Sequence, residues 1–199
     1  MHTWFMTLEF TVDPELTDEL RAQIVACWTE VSNAGGAVGF VPPVTTDDVR
    51  PAAEKLFAAV AAGHDRLIVG WAVGSDNDEP GPGEIGSGAA GGGEPRVAAL
   101  ATICDGQFRL TAHWRKVKRV MVHPDFQGRG YGALLMAEVE QVARGMGLEM
   151  LTLDCRGETG NDVFYKKCGY VEYGRLQGAL RLSADDYRDQ ILMALSLVE

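Results

Sequence analysis

Apolar side chains fall along this chain in two rhythms, every second residue and every third or fourth, and the change of rhythm marks its elements. Trp4, Phe5, Leu8 and Phe10, set among threonines, predict an opening strand from Thr3 to Val12. After Pro14, Thr17 is placed to cap a helix whose Leu20, Ile24, Cys27, Trp28 and Val31 share one face, and Asn33-Ala34-Gly35-Gly36 ends it. Val38 to Pro43 reads as a loop. Thr45-x-x-Asp48 then opens a second helix, with Pro51 in its first turn, Leu56, Phe57 and Val60 on one face and Gly63 as its stop.

Leu67 to Val73 is the next strand. The stretch from Gly74 to Pro95 is rich in Gly, Pro, Asp and Glu and cannot bury enough surface to offset its ordering entropy. It predicts a flexible surface loop inside one domain, not a domain boundary. Two β-like runs follow, Val97 to Cys104 and Arg115 to Val122, and Asp105-Gly106 between them suggests an antiparallel hairpin. From Gly130 the rhythm turns helical through Leu135, Val139, Val142 and Met146, until Gly145 and Gly147 stop it. A strand from Glu149 to Asp154, a helix over Asn161–Lys167, a strand from Tyr170 to Arg175 and the alternating Ile191, Met193, Leu195 and Leu197 complete the order. Trp28 and Trp71 lie within periodic apolar runs and are assigned to the core. The fold class is α+β: a single domain over residues 1–199, three-layered in the α/β manner, with a mixed central sheet flanked by helices.

Composition narrows the function classes. Of 199 residues, 46% are apolar and 23% charged, and no apolar run approaches the ~20 residues that a bilayer span requires. Met1 to Phe5 does not begin a secretory signal, so a cytoplasmic location is expected. Cys27, Cys104, Cys155 and Cys168 stand singly and indicate neither a zinc site nor a disulfide framework, and no metal is expected. The net charge of −10 disfavours nucleic acid and anionic membranes as partners and is compatible with a cationic small molecule.

The chemistry concentrates in Val120-Met121-Val122-His123-Pro124-Asp125-Phe126-Gln127-Gly128-Arg129-Gly130-Tyr131-Gly132. An apolar strand is stopped by proline and followed by alternate glycines that open directly into an amphipathic helix. Glycines let backbone approach a ligand, and the first N–H groups of a helix are unpaired at the positive end of its dipole, which makes a seat for a pyrophosphate. A glycine-rich turn that merely joins strand to helix is the plainer alternative. A P-loop needs Gly-Lys-Ser/Thr, which is missing, and the G-x-G-x-G spacing differs from the dinucleotide fingerprint.

On these residues the chain resembles the GNAT superfamily of acyl-CoA-dependent N-acyltransferases. Gln127-Gly128-Arg129-Gly130-Tyr131-Gly132 matches that superfamily's Gln/Arg-x-x-Gly-x-Gly/Ala signature, and Val120, Val122 and Pro124 precede it as expected. Asn161-Asp162-Val163-Phe164-Tyr165-Lys166-Lys167-Cys168-Gly169-Tyr170 is similar to its second signature. The resemblance implies that the amides of Gln127, Gly128, Arg129, Gly130, Tyr131 and Gly132 hold the pyrophosphate of acetyl-CoA. It also implies that main-chain groups of Val120 and Val122 pair with the pantetheine arm, that Asn161 hydrogen-bonds the cofactor and that Tyr165 lies beside the thioester. The implied activity is N-acetyl transfer to a primary amine of a small molecule, such as an antibiotic or another cationic amine; a homodimer is compatible with it.

Within that frame Tyr165 is the candidate general acid, because a phenol stays protonated at neutral pH and can donate to a leaving thiolate. A backbone N–H near Met121 or Val122, freed by a bulge, would stabilise an oxyanion. Relatives often place a carboxylate on the strand before the loop, where this chain has Lys116 and Lys118. Asp154, at a strand end, is the best remaining base, with His113 as an alternative relay. The missing strand carboxylate also leaves room for a second function class, a non-catalytic acyl-CoA-binding sensor or interaction protein.

Overall fold

The computed structural model describes residues 6–74 and 95–198. Its elements run β1 (Met6–Val12), α1 (Asp18–Asn33), α2 (Thr46–Ala61), β2 (Arg66–Gly74), β3 (Arg96–Cys104), β4 (Trp114–Val122), α3 (Tyr131–Gly145), β5 (Met150–Arg156), α4 (Asn161–Lys167), β6 (Val171–Arg181) and β7 (Tyr187–Ser196). One seven-stranded sheet takes the order β1-β2-β3-β4-β5-β7-β6, antiparallel throughout except for the parallel pair β4–β5. The sheet is therefore mixed, as anticipated.

Burial explains why the strands read as unbroken apolar runs. Leu67, Ile68 and Val69 are all fully buried, yet pleating sends them to opposite faces. Ile68 joins Leu135 and Val139 of α3 and Leu151 of β5 in one layer. Leu67 and Val69 join Ile24 and Trp28 of α1 and Phe57 of α2 in the other. Each such side chain contributes about 1.5–3 kcal/mol through burial, so a polar substitution at Ile68 or Val69 would disrupt a whole layer.

The helix starts follow their caps. Thr17 Oγ1 accepts the Leu20 N–H at 3.2 Å, and Thr45 and Asp48 form a reciprocal capping box. Pro51 departs from expectation: it is the sixth residue of α2, past the first turn, where its missing N–H removes a hydrogen bond from the helix interior. The antiparallel hairpin expected around Asp105-Gly106 is present: β3 and β4 pair antiparallel, through a connection that contains a 3-10 turn over Arg109–Thr111. Asp105 Oδ1 accepts the Gln107 N–H at 2.7 Å, an Asx turn that continues the loop instead of closing it. β6 extends to Arg181, beyond the expected Arg175. Most of the expected loop at 74–95 lies outside the described residues, as do the first residues of the opening strand.

Candidate functional site: a cleft where two parallel strands part

The pairing of β4 with β5 covers only Trp114↔Met150, Arg115↔Leu151 and Lys116↔Thr152. Beyond it the strands separate, and the cause is visible on the other side of β4. There Leu100 pairs with Met121 and Thr102 with Lys118, so Arg119 and Val120 together face Ala101 alone. This is a β-bulge, which bends and twists its strand. Arg119 carries a left-handed φ of 54° within it. The bulge therefore lies at Arg119–Val120 and not at Met121–Val122. Because the His123 N–H bonds to Ala98 O (2.8 Å) toward β3, antiparallel alternation turns the Val122 N–H and carbonyl toward the open cleft.

Three adjoining cavities run along the opening. The first, about 610 Å³, is lined by Gly128, Gly130, Gly132, Val122, Asn161 and Tyr165, among others. The second, about 480 Å³, lies deeper between Lys116–Val122 and Leu153–Cys155 and shares Val122, Asn161 and Tyr165 with the first. The third, about 430 Å³, shares Arg119, Asp154 and Cys155 with the second and opens between the α1–α2 loop and the end of β6. It is lined by Ala37 and Gly39–Val41 on one side and Ala179–Leu182 on the other.

The loop at the first cavity is built from backbone. Gly128 (φ 76°) and Gly130 (φ 81°) are left-handed, a conformation that costs a side-chain-bearing residue roughly 1–2 kcal/mol. Gly130 is the N-cap of α3 and brings no capping side chain. The N–H groups of Gly128, Arg129, Gly130 and Gly132 have no acceptor among the described residues. Gln127 differs: its N–H bonds to Pro124 O at 3.2 Å, and its side chain donates to Val122 O at 3.0 Å. Two expected ligand contacts, the Gln127 amide and the Val122 carbonyl, are thus engaged within the protein. A Cβ on Gly132 would meet the Phe164 ring at 3.2 Å, so glycine there lets α3 and α4 approach closely.

His123 tethers this loop. Its buried ring accepts the Asp125 N–H at Nδ1 (3.2 Å), which leaves Nε2 to donate to Glu30 Oε2 of α1 (2.7 Å). His113, the alternative relay, is exposed at the start of β4, at the closed end of the β4–β5 pair and away from the cleft.

Tyr165 is buried where the first two cavities meet, its ring against Phe164 (5.1 Å) and Tyr170 (5.9 Å). No described residue accepts its hydroxyl proton, and desolvation raises its pKa above that of an ordinary phenol. Asp154 stands where the second and third cavities meet. Its Oδ2 accepts from Lys116 Nζ (2.5 Å) and from Gln190 Nε2 (2.8 Å), while Oδ1 carries neither bond. Met121 is buried in the ladder opposite Leu100. Among the described residues no cluster of His, Cys, Asp and Glu could hold a metal, and no helix is long and apolar enough to cross a membrane.

Residues 91–172, which span the bulged strand, the glycine loop and α4, match the model of an acetyltransferase (GNAT) domain family. Over that segment the chain matches the GNAT superfamily. Across the whole fold it is similar to the structure of ACIAD1637 from Acinetobacter baylyi ADP1, with 14% identity and a TM-score of 0.72 over 96% of this chain and 93% of that one. It is also similar to yncA of Salmonella typhimurium, solved with its cofactor acetyl-CoA, at 19% identity and a TM-score of 0.66 over 98% and 95% of the two chains. The uncharacterized N-acetyltransferase CgeE of Bacillus subtilis is 31% identical over 61 residues, 31% of this chain and 24% of the relative. The matches span about a quarter of the length of such curated relatives. The GNAT sheet of this chain thus brings Tyr165, Asp154, Val122, Asn161 and the glycine loop to one cleft.

Sequence reasoning missed the basic residues of that cleft. Arg115, Lys116, Lys118 and Arg119 make a dense basic run in the sequence, in which Arg115 pairs with Asp105 at 3.2 Å and Lys116 with Asp154. Arg119 turns into the cleft because the bulge inverts its backbone, and no local residue pattern announces that. Arg156, Arg181 and Gln190 arrive from three other strands.

Proposed function

We propose that this GNAT chain is an N-acetyltransferase that moves the acetyl group of acetyl-CoA to a primary amine of a small molecule. The observation that carries the reading is the set of unpartnered N–H groups at Gly128, Arg129, Gly130 and Gly132, at the mouth of a cleft walled by Tyr165 and Asp154. Such donors at a helix N-terminus fit a diphosphate, and the left-handed glycines leave open space where a Cβ would stand.

Acetyl-CoA supplies an activated acetyl thioester. The loop amides, with Tyr131 completing the turn, hold the diphosphate; the edge of β4 at Val120 and Val122 and the side chain of Asn161 line the pantetheine arm. An alkylamine with pKa near ~10 arrives as its ammonium, so a base must take a proton before attack. Asp154 Oδ1 is that acceptor, held in place by the two bonds to Oδ2. The Val122 N–H donates to the carbonyl oxygen as negative charge develops on it. Tyr165 donates a hydrogen bond to the departing sulfur. Because burial makes its phenol less acidic than usual, while a thiol has a pKa of about 8.5, the phenol stabilises the thiolate without surrendering its proton completely. The surplus proton on the attacking nitrogen passes to the sulfur as the carbon–sulfur bond breaks, leaving the amide and free CoA thiol.

We place the protein in the cytoplasm, where four free thiols suit a reducing compartment; mass in solution tests whether it forms a homodimer. The deciding experiment couples calorimetry with acetyl-CoA to detection of CoA thiol over a panel of primary amines. Binding with amine-dependent thiol release is expected. Tight binding with no transfer to any amine would instead indicate an acyl-CoA sensor.

A further inference from the structure

The third cavity has an unusual charge lining for a chain of net charge −10. Arg119, Arg156 and Arg181 all line it, and the single carboxylate there, Asp154, is matched by Lys116. Most other guanidinium groups find carboxylates, as Arg115 finds Asp105 and Arg175 finds Glu172 and Asp189; outside this cavity Arg109 and Arg129 are the exceptions among the described residues. None of the three cavity arginines has a carboxylate partner among the described residues. Arg119 donates to the Val38 carbonyl at 3.4 Å and lies over the Trp28 ring at 4.6 Å. Arg156 donates to Gly35 O at 3.0 Å, and Arg181 donates to Ser183 O at 3.1 Å while resting against Tyr187 at 5.6 Å. Carbonyls and ring faces orient these cations without neutralising them.

Arg119 is the sharpest case. It is half-buried, its pKa is lowered by desolvation, and its backbone adopts a left-handed conformation that few side-chain-bearing residues take. A partly desolvated cation without a counter-charge is costly, and an anion arriving from solvent would relieve that cost. Guanidinium groups suit carboxylate and phosphonate oxygens in particular, because their forked donors match two oxygens at once.

We propose that the acceptor amine carries an anionic group, a carboxylate or phosphonate, which Arg119, Arg156 and Arg181 bind in the third cavity. This rests on the acetyltransferase reading and narrows it. The acceptor lies across the cavity with its nitrogen at Asp154 and its anion at the arginines, so the two ends of a zwitterion meet opposite charges. The negative net charge of the whole chain is a poor guide here, because the local lining has the reverse sign.

The test compares matched primary amines by kcat/KM from CoA-thiol release: 2-aminoethylphosphonate against n-propylamine, and amino acids against their carboxamides. The wild type is expected to prefer at least one anionic member over its uncharged counterpart by at least about tenfold, the scale of one charge-assisted hydrogen bond. Arg156→Gln and Arg181→Gln, on partly exposed side chains, are each expected to reduce that preference by about tenfold through KM, with acetyl-CoA affinity unchanged. Arg119→Met is expected to remove most of it; should that variant not fold, the other two decide. Equal use of charged and uncharged amines, turnover of uncharged amines alone, or no turnover of any anionic amine by a protein that binds acetyl-CoA overturns the anionic acceptor. Failure to bind acetyl-CoA overturns the acetyltransferase reading itself, and this inference with it.

Discussion

The two ends of the cleft are made of different materials. At the glycine loop, the proposed recognition uses main-chain N–H groups of Gly128, Arg129, Gly130 and Gly132, within five consecutive residues. At the third cavity the proposed recognition uses side chains on four strands, Arg119 on β4, Asp154 and Arg156 on β5, Arg181 on β6 and Gln190 on β7, which all line it. A backbone site is encoded locally and fits any ligand that presents the same diphosphate. A side-chain site needs the finished sheet and can change with one substitution per strand. The contrast teaches that an invariant co-substrate can be read by local conformation, while a specific acceptor is read by tertiary assembly.

Tyr165→Phe acts where the two ends join and should have the largest effect. Phe fills the same volume, and no described residue bonds to the hydroxyl, so the fold should remain intact. kcat for acetyl transfer should fall by about 10²- to 10³-fold, the range for losing one positioned donor in a desolvated site, with acetyl-CoA affinity little changed. A variant retaining more than half the wild-type kcat would remove Tyr165 from the chemistry. The same raised pKa predicts that the rate does not decline from phenol ionisation below pH 10; a steady-state pH profile checks this.

Gly130→Asp tests the backbone end alone. It puts a carboxylate among donors meant for phosphate and strains a left-handed residue, so acetyl-CoA affinity in calorimetry should fall by about 10²-fold. Gly130→Ala separates the two effects: it should cost roughly 1–2 kcal/mol of stability in denaturant unfolding and far less affinity than the aspartate variant. Equal affinity losses in the two variants would mean that loop shape, not charge, sets binding.

This loop was legible because glycine spacing, a strand-stopping proline and a helix start are all local signals. Helix caps at Thr17 and Thr45 and the alternation in β7 were legible for the same reason. Pro51 lies outside the expected first turn although the cap is where the sequence puts it: counted from Thr45 it is the sixth helical residue, and the tertiary packing of α2 carries the helix through it. The inward turn of Arg119 is not legible because a bulge changes side-chain direction through its partner strand, and the partner's register is not in the local sequence. Asp154 could be named from its strand end, but its bonds to Lys116 and Gln190 depend on β4 and β7 flanking β5.

Asp154→Asn probes the side-chain end. It removes the proton acceptor and leaves Lys116 without its counter-charge, so kcat should fall by at least about tenfold at neutral pH, with acetyl-CoA affinity preserved. The loss should shrink as pH rises toward the pKa of the acceptor amine, because more amine then arrives deprotonated. A loss equal at pH 7 and pH 10 would point to positioning instead of proton transfer.

The smallest effect belongs to Tyr170→Phe, which sharpens what is special about Tyr165. The two rings lie 5.9 Å apart, and burial raises the pKa of both phenols. Yet the Tyr170 hydroxyl is sealed from solvent without a hydrogen-bond partner among the described residues, whereas Tyr165 borders two cavities. Removing an unsatisfied buried hydroxyl should leave kcat unchanged and stabilise the protein by up to about 1 kcal/mol in urea unfolding at pH 7. The pH dependence has a definite sign: a phenol whose folded pKa is raised contributes its full stability below the unfolded value near ~10, and that contribution is lost as pH rises further, at about 1.4 kcal/mol per unit. Stability of the wild type should therefore fall above pH 10 more steeply than that of Tyr170→Phe. Parallel curves would show that the hydroxyl reaches solvent and that its burial does not set its ionisation.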